Sequence, residues 1–314
     1  MTRILRPDSG KFFKFFVLAG IFFYGCSANK FIVNQVAGAM NTGRAAFERE
    51  PDLEIAQTAL ASNLKLLEAI LEEDPTNENL RLFLSEGYAL YSMAFVEDKY
   101  EELGYANSQS SDYERKRAIR FYLRSRDYAS ARICKKLNIA SAEQIVREKL
   151  EKYLAGTKRE DVRELFWFAF SWGSAINLQR DDIAELASLP FIVMIMTRVR
   201  ELDENYYFGG AFLFEGMYFG GRPPMLGGDF GKSARSFEKA MAVTGKKLLL
   251  VPYFYARTYC IQKQDFKCFK DNLHYVINAP DNIFPEQMLA NALAKKKAER
   301  LYLHASDYFI ESEK

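Results

Sequence analysis

The chain has 314 residues, 49% of them hydrophobic and 27% charged, with 43 lysines and arginines against 41 aspartates and glutamates. That length supports a sizeable core in one or two domains, and the absence of a basic stripe or a nucleic-acid motif argues against DNA or RNA as a partner. The 18 glycines and 9 prolines cluster in a few places, which favours long helices and an all-α fold over many short strands.

The first segment reads as an address. Arg3, Arg6, Lys11 and Lys14 form a basic region, Phe15 to Tyr24 is an apolar run too short to span a bilayer as a helix, and Gly25-Cys26 follows. This is a signal peptide over residues 1–25 ending in a lipobox-like pair, with Cys26 as the lipidated residue, 26–44 as a flexible tether and 45–314 as a helical domain. Phe23 and Tyr24 depart from the usual Leu-Ala/Ser pair, and a retained anchor or a soluble secreted chain are the alternatives. Acyl chains on Cys26 would hold the mature chain on a membrane surface. Removing residues 1–25 takes away a net charge of +3, so the full chain's +2 becomes about −1.

From residue 53 onward apolar residues recur at helical spacing, and a longer period runs through them. Ser233, Phe237 and Ala240 place small, large and small residues on one helix face, as in the second helix of a tetratricopeptide repeat. Asn63, Leu67 and Ile70 take these places less faithfully; Asp74-Pro75 then stops the helix, and Leu84, Ser85 and Tyr88 follow where a next first helix would begin. Ala118, Tyr122 and Ser125 repeat the pattern after an enlarged loop around Gly104 to Ser111. Ile192, Met196 and Val199 do so again, and Asp265, Phe266, Leu273 and Val276 match Asp229, Phe230, Phe237 and Ala240. The expectation is a superhelical array of about four degenerate helix-turn-helix repeats, a binding scaffold by nature.

The GKS at Gly231-Lys232-Ser233 invites a phosphate-cradle reading, but position 226 is Leu where a P-loop needs glycine, and no buried strand precedes it. Gly227, Gly228 and Gly231 read instead as a turn and helix start with Asp229 as N-cap and Pro223-Pro224 stiffening the approach. The loop holding Arg222, Pro223, Pro224, Met225, Leu226, Gly227, Gly228 and Asp229 is longer than a repeat turn requires. It is either a packed surface loop or the lip of a ligand or partner site, with Arg222 as a carboxylate fork and Met225 or Leu226 as an apolar contact.

Residues 165–177 hold both tryptophans in an aromatic run. Such a helix is buried all round or faces a cavity as well as a core. By spacing Trp167 and Phe170 share one face, and Phe168, Trp172 and Ala175 another; one of the two could line a groove, with Asn177 as a polar contact. Tyr206, Tyr207, Phe208, Phe212 and Phe214 extend the aromatic inventory in a helix leading to the loop.

No nucleophile motif is present, and His274 and His304, the two histidines, sit in no metal-binding arrangement, so no catalytic residue, metal site or cofactor is nominated. Beyond Cys26, the odd count of Cys134, Cys260 and Cys268 argues against a disulfide framework. Cys260 and Cys268 are expected as buried thiols unless their helices pack together.

The lipobox-like start, Leu84 to Ala89 running into Ala94 to Glu97, Tyr122 to Ala129, the Trp167/Trp172/Asn177 helix and Arg222-Pro223-Pro224-Met225-Leu226-Gly227-Gly228-Asp229 followed by Phe237 to Ala240 together resemble the T component of tetratricopeptide-repeat-protein-associated TRAP transporters, over about residues 45–310. The resemblance implies a periplasmic lipoprotein that partners a TRAP-type substrate-binding P protein, forms a homo-oligomer with a trimer as the implied arrangement, and carries a pore or cleft through each protomer for a small apolar ligand. It places Trp167, Phe170, Trp172, Asn177, Tyr207 and Arg222 near that passage. A purely structural envelope lipoprotein without a ligand is the alternative.

Overall fold

Five side chains set where helices begin. Asp52, Asn77, Asp182, Asp229 and Asp265 each accept a hydrogen bond from backbone N–H groups of the first turn that follows, satisfying donors the helix itself leaves open. This computed structural model describes residues 30–309 apart from 31, 32, 41, 42 and 107, and it is all-helical, 81% helix with no strand among the described residues. Residues 1–25 and Cys26 lie outside the described residues.

In chain order the main helices are α1 (Leu53–Glu73), α2 (Glu78–Tyr91), α3 (Glu97–Gly104), α4 (Ser108–Leu137), α5 (Arg147–Ala155), α6 (Val162–Asn177), α7 (Leu189–Leu202), α8 (Tyr206–Gly220), α9 (Phe230–Val243), α10 (Leu250–Tyr255), α11 (Phe266–Asn278) and α12 (Met288–Leu303). A π turn, Ser92–Val96, joins α2 to α3, and another, Ala256–Cys260, extends α10. Three apolar clusters fill the interior. One lies among α1, α2 and α4, one around α6 and α7, and one around α9 to α12.

The small-large-small triplets face this interior. Ser233, Phe237 and Ala240 are fully buried, as are Ala118, Tyr122 and Ser125 and also Ile192, Met196 and Val199. The small members let helices approach. Ser125 Oγ donates to Ser85 O at 2.6 Å and lies 2.6 Å from Ser171 Oγ, so α2, α4 and α6 meet through three buried serines. Asn63 and Ile70, the less faithful pair, are only half-buried.

A charged clasp ties an early helix to the last one. Asp98 accepts from Lys296 at 2.8 Å and Arg300 at 2.6 Å, and Glu101 accepts from Lys297 at 2.7 Å and Arg300 at 2.9 Å, with Arg257 on its other oxygen. Asp98 and Lys297 are buried. Paired and multiply hydrogen-bonded charges are the form in which burial is tolerated.

Three expectations are corrected. Residues 104–111 are not an enlarged loop, because α3 runs to Gly104 and α4 starts at Ser108. Residues 33–40 and 43–44, within the 26–44 segment expected as a tether, are helical, with Val33 and Ala37 buried. Cys260 and Cys268 are not free thiols but a disulfide, with Cα atoms 5.6 Å apart. Gln264, at φ 56°, and the Asp265 N–H bond to Cys260 O turn α11 back onto the π turn, which brings the two residues together over eight positions. Cys134 remains a free, buried thiol.

Candidate functional site

Helix α6 is apolar on almost every side, and packing decides which side does what. Its stripe of Phe166, Phe170, Gly173, Ser174 and Asn177, at helical spacing, lines a partly enclosed cavity of about 720 Å³. Trp167 and Trp172 are not on this wall. They are 0% and 2% exposed and lie in the core, where Trp172 packs 5.4 Å from Phe168 and 6.4 Å from Phe191 between ring centres. The wall-facing side is the one that carries the small Gly173 and Ser174, and Trp167 backs it from the core, its ring 5.5 Å from Phe170 and 4.8 Å from Tyr207.

Helix α8 supplies a second wall and opens with a reversal. Tyr207, Phe208 and Gly209 have φ of 46°, 58° and 76°, a left-handed turn that two of these residue types adopt at a cost of roughly 1–2 kcal/mol each. Close packing holds it. A Cβ on Gly209 would lie 3.0 Å from the Val243 side chain, and one on Gly210 would lie 2.6 Å from the Phe166 ring. The turn sets Tyr207 and Phe208 on the cavity wall together with Leu213, Phe214 and Met217 from the same helix.

The loop after α8 closes on itself. Leu226 and Gly228 N–H groups both bond Pro223 O, and the Asp229 N–H bonds Phe219 O. Gly227 takes φ 86°, and a Cβ on Gly228 would come within 2.0 Å of Arg222 O, so both glycines are required by geometry. Arg222, Pro223 and Leu226 line the cavity, while Met225 is 88% exposed beside Pro224. Asp229 caps α9 through Lys232 N–H at 2.9 Å, and Lys232 lies over the Phe219 ring at 5.0 Å, so the GKS is an ordinary helix start.

Polar groups enter the wall at a few points. Arg44 bonds Glu48 at 2.8 Å and Glu86 at 3.5 Å and covers the Tyr207 ring. Burial opposes its charge, but Glu86, Tyr207 and Glu48 together hold the guanidinium protonated beyond its ordinary range. Glu86 is in turn gripped by both arms of Arg163, at 2.9 and 3.0 Å. Arg257 is paired with Glu101, and the half-buried Glu97, whose pKa desolvation pushes up, accepts from the Tyr122 hydroxyl.

Arg180 and Arg222 differ from these. Arg180 Nε donates to Asn177 Oδ1 at 3.0 Å, and Arg222 Nη1 donates to Tyr218 O at 2.7 Å with its guanidinium 4.1 Å from the ring centre. Desolvation lowers the pKa of both; for Arg180 the like charges of Arg257 and Arg222 lower it further. Arg180 is an exposed side chain on the lining of the cavity, and Arg222 on the same lining is half-buried.

Of the residues singled out in the sequence, the structure brings Phe170, Asn177, Tyr207, Phe208, Phe214, Arg222, Pro223 and Leu226 onto the lining of one cavity. Sequence reasoning missed Arg44, Glu86, Glu97, Arg180 and Arg257. Arg44 fell in the segment read as tether, and Arg180 lies in a short polar turn after α6 that matches no motif.

No described helix is long and apolar enough to cross a membrane. A protein of Treponema pallidum (strain Nichols) described as an uncharacterized protein is similar to this chain, 24% identical over 267 residues that cover 84% of this chain and 83% of that one. A family model described as TRAP transporter T-component matches residues 49–309. That span contains both helices of the cavity wall, the closed loop and the clasp; the chain belongs to the TRAP transporter T-component family.

Proposed function

We propose that this chain is a lipid-anchored scaffold of the periplasm that docks the substrate-binding P protein of a TRAP system and receives or passes a small apolar, carboxylate-bearing molecule through its cavity. The family places it in a TRAP transport system as a transporter component. The observation that carries the ligand half is the cavity of about 720 Å³, walled by aromatic and aliphatic side chains with arginines at its edge. That volume and composition suit a small-molecule site. In the same reading Cys26 bears the lipid, the helix pairs stack as a tetratricopeptide-like superhelix, the cavity continues as a pore, and the protomers assemble as a trimer. The buried repeat triplets are consistent with such stacking.

A second reading, a structural envelope lipoprotein with no ligand, draws on the exposed Met225 and Leu226, which suit a protein contact as well as a ligand lip. Analytical ultracentrifugation of the mature chain, alone and with the P protein of the same genome, tests the docking half. Co-sedimentation in a fixed ratio is expected. Failure to associate at tens of micromolar, on the order of −6 kcal/mol, would remove the partnership. Native mass spectrometry of the purified chain then separates the readings, since a stoichiometric small molecule is expected only for the first.

A further inference from the structure

The cavity wall is lopsided in charge. Arg44 is met by Glu48 and Glu86, and Arg257 by Glu101. Arg180 and Arg222 have no carboxylate within ion-pair distance among the described residues. Each is oriented by neutral acceptors, Asn177 Oδ1 for Arg180 and Tyr218 O for Arg222, which leaves most of the five N–H donors of each guanidinium open. Glu97, the carboxylate in the same region, is engaged by the Tyr122 hydroxyl. Both guanidiniums line the same cavity, and like charges brought to one site repel. Such a pair is stabilised by an anion placed between or against them.

We propose, resting on the ligand-cavity reading above, that Arg180 and Arg222 form the head-group end of the cavity, and that the occupant is a single-chain amphiphile with one anionic head. Its alkyl tail lies along Phe170, Leu213 and Met217, the apolar wall next to these arginines in α6 and α8. Asn177 and Tyr218 are positioning residues, which fix the guanidinium planes. A free fatty-acid-like carboxylate and the phosphate monoester of a single-chain lipid share this chemistry.

The test is isothermal titration of the delipidated mature chain with decanoate, decyl phosphate and decanol. At least one anion is expected to bind about tenfold or more tighter than decanol, as charge-assisted hydrogen bonds allow, and the stronger of the two anions identifies the source. In the R180Q/R222Q variant the preference should vanish while decanol affinity holds within about twofold; R180K/R222K should keep part of it. Equal binding of decanol and both anions by the unaltered chain would overturn the head-group assignment and leave the ligand cavity standing. A preference that survives in R180Q/R222Q would also overturn it. If none of the three binds, the ligand-cavity reading fails as well.

Discussion

The guanidinium carbon of Arg44 lies 5.6 Å from the centre of the Tyr207 ring, so the start of the described chain rests on the left-handed turn that opens α8. Residues 33–40 and 43–48 thereby cover one stretch of the cavity, with Met40, Phe47 and Glu48 beside Arg44 on its wall.

Arg44→Ala should therefore loosen this segment more than the rest of the molecule. The expected loss is about 1–2 kcal/mol from the cation–π and ion-pair contacts. Limited proteolysis should show faster cutting between residues 33 and 50, with α4 to α12 unchanged. Uniform sensitivity across the chain would show that Arg44 does not hold the segment.

Acid should weaken the clasp between α3 and α12. Burial favours the protonated forms of Asp98 and Glu101, but their cations prevail and hold both carboxyls below the ordinary range, Glu101 at about 2. The folded state then binds fewer protons than the unfolded chain in this window. Stability is present above the ordinary carboxylate value of about 4 and is lost as pH falls towards 2. Glu97, raised by desolvation, acts in the opposite sense. Urea midpoints measured from pH 7 to pH 3 should fall at the acid end. Glu101→Gln should flatten that limb while costing about 3–5 kcal/mol at neutral pH, because Lys297 and Arg257 lose their shared partner.

Helices α8 and α9 meet where a glycine faces a ring. A Cβ on Gly216 would stand 2.8 Å from Phe237, and Ser233 Oγ donates to Gly216 O at 2.8 Å. Gly216→Ala should cost about 1–3 kcal/mol by overpacking, and Phe237→Leu in that background should recover part of it. Denaturation of the two single variants and the double variant checks the coupling. Simple additivity would mean that the two positions do not share the strain.

Reducing the Cys260–Cys268 bond should destabilise α11 locally. A loop closed over eight residues corresponds to about 2–3 kcal/mol in the chain-entropy view. The thermal midpoint should drop under reductant in the unaltered chain but not in C260S/C268S. An equal drop in both would place the effect elsewhere.

The helical nature of the chain was legible because its signals are local: Asp229 and Asp265 sit where an N-cap must, and Asp74-Pro75 ends a helix within a few residues of the sign. The wall was legible only in part. In α6 every face is apolar, so spacing alone could not tell the Trp167 side from the Phe170 side; the choice was made by neighbours from α7 and α8. The left-handed turn at Tyr207 and Phe208 carries no glycine at those two positions, and the neighbours crowding the glycines that follow it, Val243 and Phe166, come from other helices. Arg44 and Arg180 stand alone in polar stretches, and the partners that distinguish them come from far along the chain or, for Arg180, are neutral. The disulfide needed the Gln264 turn, a backbone conformation that the residue type does not announce.

The clasp has a mechanical meaning for the whole chain. A row of helices joined only to their neighbours behaves like a zipper and can open from its loose end. Here Lys296, Lys297 and Arg300 grip residues almost two hundred positions earlier, so the last helix cannot peel away without stranding charge deep in the first third. The molecule is built as a hoop, and any load drawn through its N-terminal end is shared by its C-terminal helix.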